Sequence, residues 1–470
     1  MSTTPTTRTP SPPRTTPRAP RFLRCDAAAI ADGEGLALEK ASILLELSTT
    51  TDSLGWHSRT LALGPTAEVT AHPANRAADL LVISCPDSTL IPGLVNAHTH
   101  LDLTHIGPQP HDPEDGFVPW VDMIRTRRHT EVGAIAASVR LGIELSRAAG
   151  TVAIGDIAGA PKARASLTPW RTMHALGVRG VSYIEFFAIG RGTDAPWGWI
   201  ESLLRDAGPP SGTGTALGLQ PHATNTVALN AYRRAIDLAA AAGNLPLCTH
   251  LAETPEEREF IAHAAGPQRE LLERFDLWTD DILDHIGRGR HPVAHLQETL
   301  LAAAERTGRP MLVAHVNDAD DEAVRILAES RAVVVYCPHA STYFGAPARL
   351  GPHRYRDMLA AGIPVALGTD SIVNLPPDSA QPGAGMSIIR EARMLYQRDL
   401  TDPTTLLAMA TLHGAAALGL DPRAFRFALG HPVAGILKFP GNSLREVLIG
   451  SQSPKVLFAD NNSGPTVTIP

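Results

Sequence analysis

The stretch IPGLVNAHTHLD, residues 91–102, decides how this chain reads. An apolar run ends on His98 and His100, and on an extended backbone an i, i+2 spacing points both imidazoles to one side. Working outward, run after run closes in the same manner. PLCTHLAE at 246–253 ends on His250 and Glu253, MLVAHVN at 311–317 carries His315, and PVALGTDS at 364–371 carries Asp370. A lone histidine at a strand end is most often structural, and 19 histidines make single matches easy. Four such ends in chain order point to one site.

Eight candidate strands follow one another at 90–98, 151–158, 178–187, 216–222, 246–253, 311–317, 332–339 and 364–371. Between them lie stretches with helical apolar spacing, among them VGAIAASVRLGIELSRAAG, LNAYRRAIDLAAAAGN and DEAVRILAES. Strand and helix alternating in this way is the signature of a parallel sheet, and eight strands suit a (β/α)8 TIM barrel, whose C-terminal strand ends converge on the site. A doubly wound open sheet stays as the alternative, although no Gly-rich phosphate turn follows the first strand. Residues 21–89 and 421–470 read as short strands separated by turns. The expected organisation is an α/β chain with a disordered tail at 1–20, a barrel at 90–420, and a small β-sandwich-like domain built from 21–89 and 421–470.

Composition removes other classes. Of 470 residues, 44% are hydrophobic and 19% charged, which is globular rather than disordered usage. Lys and Arg number 41 against 48 Asp and Glu, so the net charge of -7 offers no footprint for nucleic acid or anionic lipid. No nucleic-acid or membrane partner is expected. The tail MSTTPTTRTPSPPRTTPRAP lacks the apolar segment of a secretory signal, and no later run approaches the ~20 apolar residues of a membrane span. Cys25, Cys85, Cys248 and Cys337 form no C-x-x-C pair and read as free thiols in a reducing cytoplasm.

Three imidazoles and one carboxylate suit a divalent metal with a position left open for water, whose pKa then falls to ~7. At this point the sequence resembles the amidohydrolase superfamily, within it the cytosine deaminase, guanine deaminase and triazine hydrolase branch. IPGLVNAHTHLD looks like that branch's first-strand motif, HLAETPEE at 250–257 like its fifth, and LGTDS at 367–371 like its eighth. The resemblance implies that His98, His100, His250 and Asp370 bind one metal, zinc first and iron second. It implies that Glu253 shuttles a proton from the bound water to a ring nitrogen and then to the leaving amine, and that His315 steadies the tetrahedral intermediate. The resemblance gives Asp370 a second role as acceptor of a water proton and matches His222 of LQPHATNT to a histidine that lies against the substrate, a structural role for His222 being the alternative. The four lysines, Lys40, Lys162, Lys438 and Lys455, avoid the strand ends, so a lysine-bridged metal pair is not expected.

Other residues read less sharply. Glu185 closes the third strand and points to the barrel mouth, where it binds a substrate nitrogen or a helix N-terminus. GFVPWVDMIRTRRH, following the first strand, is either a lid presenting Trp120 and Arg125, Arg127 or Arg128 to the substrate, or a solvated basic helix packed through Trp120 and Met123. The second reading is preferred. Asp102 and His105 read as rim or supporting groups. In YCPHASTYFG, His339 stands where relatives carry a small residue, and their asparagine is missing, which marks the substrate pocket as different.

The expected activity is metal-dependent hydrolysis of a C–N bond other than a peptide, by deamination of an amino-substituted N-heterocycle of aminopurine, nucleoside or pterin type. The alternatives are triazine-type C–Cl hydrolysis, cyclic amide hydrolysis, or a barrel that binds its ligand without turnover. A homodimer is expected only because barrels of this size often associate.

Overall fold

A computed structural model describes residues 20–52, 55–208, 214–381 and 383–468. The expected tail at 1–20, apart from Pro20, lies outside the described residues. Eight parallel strands form the centre: β1 (Leu94–Thr99), β2 (Thr151–Ala158), β3 (Arg179–Phe186), β4 (Thr215–Pro221), β5 (Cys248–Leu251), β6 (Leu312–His315), β7 (Val333–Tyr336) and β8 (Val365–Leu367). Continuous ladders join β1 to β4 and β5 to β8 in order. Two seams complete the ring through isolated parallel bridges, Leu219 with Leu247 and Ala223 with His250 at one, and Thr99 with Asp370 at the other. At the second seam the Asp370 amide donates to His98 O at 3.0 Å, and the His100 amide donates to Asp370 O at 2.9 Å. The closure is thus made by the residues that carry the polar side chains.

The ring is filled. Val95, Ala97, Ala153, Val181, Tyr183, Cys248, Leu312, Val335 and Ala366, from seven of the strands, belong to one buried cluster. Helices cover the outside, among them Val132–Ala148, Leu229–Ala241, Pro292–Thr307 and Asp321–Glu329. Helix Val132–Ala148 shows how the sequence positions the site. Its buried stripe Ile135, Val139 and Ile143 packs with Leu101 and Leu103, clamping the loop that follows the first two histidines.

Strands from both ends of the chain form one seven-stranded sheet, in the order Gly464–Val467, Lys455–Asn461, Gly435–Pro440, Leu80–Pro92, Phe22–Ala31, Ala37–Leu47 and Ser58–Pro65. The run expected as a first barrel strand at 90–98 is therefore divided. Leu90 to Pro92 pair with Gly435–Pro440 in this sheet, and the barrel strand begins at Leu94. Gly93 makes the passage. Its amide donates to Gly435 O, and a Cβ there would lie 2.6 Å from Val152.

The last four barrel strands are shorter than their apolar runs. At the ends of β5, β6 and β8 the chain leaves the ladder through left-handed backbone, at Ala252 (φ 50°), His315 (φ 74°), Val316 (φ 51°) and Asp370 (φ 54°). For residues with a Cβ this conformation is costly, and it clusters where side chains must be aimed. All four cysteines are free and buried. Among the described residues no helix is long and apolar enough to cross a membrane.

Candidate metal centre

His98, His100, His250, His315 and Asp370 meet at the C-terminal mouth of the ring, all buried. Nε2 of His98 lies 3.5 Å and Nε2 of His100 3.3 Å from Oδ1 of Asp370. One ligand atom each from His98, His100 and Asp370 falls within 4.8 Å of the others, and the same holds for His98, His250 and His315. The rings pack about His98, with centroids 5.3 Å away for His100, 5.1 Å for His250 and 5.5 Å for His315.

These residues fit a metal on their own chemistry. His98 is wholly buried, yet neither ring nitrogen has a hydrogen-bond partner, and Nδ1 of His100 is also unpartnered. Unsatisfied buried polar atoms are rare and ask for a reason, which a divalent ion supplies. Burial, followed by the neighbouring imidazoles, holds His250 well below the usual histidine range, and burial lowers His98 despite Asp370, so both are neutral as ligation requires. Burial opposes ionisation of Asp370, but the imidazoles of His100 and His98 beside it outweigh it and keep the carboxylate well below its ordinary range.

Supporting groups orient the set. His250 Nδ1 donates to His222 O at 3.0 Å, which turns Nε2 to the centre. Asn374 Nδ2 donates to Oδ2 of Asp370 at 2.9 Å, leaving Oδ1 facing the histidines. Asp156 accepts from the Leu101 amide at 3.1 Å and from Ser182 Oγ at 2.9 Å. Burial, with Asp102 nearby, pushes its carboxyl up to about 7.

Glu253 stands across from His315, with Oε1 3.5 Å from Nε2. Burial first, then Asp370, Glu257 and Glu256, raise its carboxyl well above the usual range. Burial pushes His315 down to about 3. The loop carrying Glu253 hangs from Glu257, which accepts from the amides of Ala252 at 3.0 Å and Glu253 at 2.8 Å and from Thr224 Oγ1 at 2.5 Å. Asn317 Nδ2 holds Glu253 O from the β6 side at 3.0 Å.

The expected substrate groups divide. His222, pushed down to about 4 chiefly by burial, packs at 4.9 Å on His250, and Nε2 lies 4.0 Å from Oε1 of Glu185. These two therefore border the centre. Oε2 of Glu185 accepts from the amide of Ala160 at 3.1 Å, the residue that caps the short 3-10 helix Pro161–Ala163 at its N-terminus. His339 turns to Glu391, with Nδ1 at 2.8 Å from Oε1, and is grouped with none of the candidate ligands. Burial pulls its pKa down, but the Glu391 carboxylate outweighs it and the net shift is upward. Trp120 sits half-buried in an aromatic cluster, 5.1 Å from Phe117 and 5.4 Å from Phe344. The reading of its helix as a solvated basic face is corrected at one residue. Arg125 and Arg127 are exposed, but Arg128 is largely withdrawn from solvent between Asp102 and Glu185. Asn374, Asn317, Glu257 and Asp156 were not anticipated. Only Glu257 carried a signal, the T-x-x-E spacing of a helix start from Thr254, and its side chain serves the preceding loop as well.

Comparison with known proteins agrees with this geometry. The model of the Amidohydrolase family matches residues 89–432. An aminodeoxyfutalosine deaminase of Deinococcus radiodurans is 30% identical over 345 residues, covering 71% of this chain and 74% of that protein. Among solved structures, a zinc-bound adenosine deaminase from Xanthomonas campestris superposes with a TM-score of 0.68 at 19% identity, covering 96% of this chain and 94% of its own. An atrazine chlorohydrolase from Arthrobacter aurescens, complexed with zinc, gives 0.67 at 16% identity, covering 95% of each.

Proposed function

Because the chain belongs to the amidohydrolase family, we propose that it is a hydrolytic deaminase whose substrate is an aminated purine-type nucleoside or a related amino-substituted N-heterocycle. The observation that carries this reading is the placing of Glu253. A carboxyl group raised by burial stands within 3.5 Å of His315, on a loop anchored by Glu257, beside a cluster of buried histidines and one aspartate. The 30% identical relative is named an aminodeoxyfutalosine deaminase, which supports the substrate class.

In this reading His98, His100, His250 and Asp370 hold one divalent ion, zinc in preference to iron. When bound, the ion supplies Lewis acidity and a water ionised at ~7. Glu253 takes a proton from the attacking water and gives it to the ring nitrogen beside the reacting carbon. As the tetrahedral carbon collapses, a second proton passes through the same carboxylate to the amino group. The C–N bond breaks, ammonia leaves, and the carbon keeps the water oxygen as a carbonyl. His315, 3.5 Å from Glu253, is assigned the stabilisation of the charge that develops on that oxygen. His222 and Glu185 border the heterocycle. The buried free thiols suit a cytoplasmic enzyme.

Glu253→Gln tests the assignment. Turnover falls by ~10²–10⁴, the usual contribution of a positioned acid–base group, while metal content stays at the wild-type value. Full turnover by this variant removes Glu253 from the mechanism. A second reading, C–Cl hydrolysis, draws on the likeness in fold to the chlorohydrolase; chloride rather than ammonia release identifies it.

A further inference from the structure

Arg128 follows the helix Phe117–Arg127 and its side chain is only 11% exposed, an uncommon place for a guanidinium unless it is paired. Its Nε donates to Oδ2 of Asp102 at 2.8 Å and its NH2 to Oδ1 at 3.4 Å, while NH1 lies 3.5 Å from Oε2 of Glu185. The loop after β2 makes room for it. A Cβ on Gly159 would come within 2.0 Å of NH2 and 2.3 Å of Cζ, so that only glycine leaves the slot open. The amide of the next residue, Ala160, donates to the same Oε2 of Glu185. One side chain from the segment after β1 thus gathers the ends of β1, β2 and β3.

Oε2 of Glu185 is fully engaged by this arrangement, and Oε1 is not. Oε1 faces Nε2 of His222 at 4.0 Å, beyond hydrogen-bond reach and wide enough for a polar group bridging the two. Thr226 Oγ1, 2.7 Å from Nδ1, fixes the His222 ring from behind. We propose that Arg128 is a positioning residue for the substrate: by holding Oε2 of Glu185, it keeps Oε1 aimed past His222 to accept a hydrogen bond from an N–H or O–H of the bound molecule. The substrate class rests on the deaminase reading above; the placing of Glu185 by Arg128 does not.

Three variants of the metal-loaded full chain test this: Arg128→Met, Arg128→Lys and Gly159→Ala. In Arg128→Met, KM for the deaminated substrate rises at least about tenfold, with kcat within about threefold and metal content unchanged, the signature of lost substrate binding rather than lost chemistry. Arg128→Lys recovers part of that loss, and Gly159→Ala reproduces it with Arg128 still present, because the slot is filled. An unchanged KM in Gly159→Ala and Arg128→Lys overturns the proposal even if Arg128→Met does not fold. A crystal structure of whichever of these variants folds needs no substrate: Glu185 turned onto His222 at hydrogen-bond distance supports the proposal, and Glu185 still on the Ala160 amide, 4.0 Å from His222, overturns it. If the wild type deaminates nothing, the deaminase reading fails and the crystal structure alone decides the role of Arg128.

Discussion

Glu257→Ala isolates the support beneath the proposed proton shuttle. Glu257 touches none of the candidate metal ligands through a hydrogen bond, but its carboxylate accepts from two buried amides, Ala252 and Glu253, and from the Thr224 hydroxyl. Truncation leaves three donors without their acceptor. Each buried donor left unsatisfied costs ~1–3 kcal/mol, and relief of the desolvated carboxylate returns part of this, so a loss of about 3 kcal/mol is expected. Ala252 sits at φ 50°, so the freed loop has a strained residue to relax. A shift of ~1 Å in Glu253 costs about 10²-fold in turnover. Equilibrium urea unfolding of the metal-loaded protein, with metal content and ammonia release measured on the same samples, reads all three quantities. The expected result is lower stability, metal retained, and kcat reduced about 10²-fold; Glu257→Gln, keeping one acceptor oxygen, loses about half the stability. A stability change below ~1 kcal/mol with turnover intact would show that the loop does not depend on Glu257 and would refute the reasoning.

Asn374→Ala frees Oδ2 of Asp370 and should weaken zinc affinity by about 10–100-fold, read by competition with a chromogenic chelator; unaltered affinity contradicts the assigned orientation of Asp370. Chelation should lower the thermal midpoint and zinc should restore it, because an ion bound only by the folded chain stabilises by mass action; a midpoint indifferent to metal argues against His98 as a ligand. His295, buried on helix Pro292–Thr307, is pushed down to about 4, by burial first and then by Arg290 and His285. The unfolded chain titrates near 6.5 and so binds more protons than the folded one between about 4 and 6.5. The stability His295 contributes is therefore complete above 6.5 and is lost as pH falls toward 4, amounting to about 2 kcal/mol by pH 5. His295→Gln should flatten that part of the stability profile in urea unfolding between pH 7.5 and 5, and an identical profile would exclude the residue.

How much of this was legible in the sequence depended on whether a residue's signal was local. His98, His100, His250, His315 and Asp370 each end an apolar run, and the ring brings together what the runs have in common. The first strand begins later than LIPGLVNAH suggests as one apolar segment, because the chain changes sheets at Gly93, where a side chain would meet Val152, 59 positions away. Arg128 read as one of several basic residues on a helix face, since nothing local distinguishes it from Arg125 or Arg127; its partners Asp102 and Glu185 lie 26 and 57 positions away. His339 was noticed as unusual, but its turn toward Glu391 depends on helix Ile388–Asp399, beyond the reach of any local pattern.

The most direct test of the central claim is ammonia release by the metal-loaded wild type across aminopurines, their nucleosides, pterins, cytosines and aminotriazines, with a chelated sample beside it. The account predicts stoichiometric ammonia from at least one aminated heterocycle, strongest among the purine-type nucleosides and abolished by the chelator. Silence across the panel with metal shown to be bound, or ammonia release that survives chelation, would contradict it.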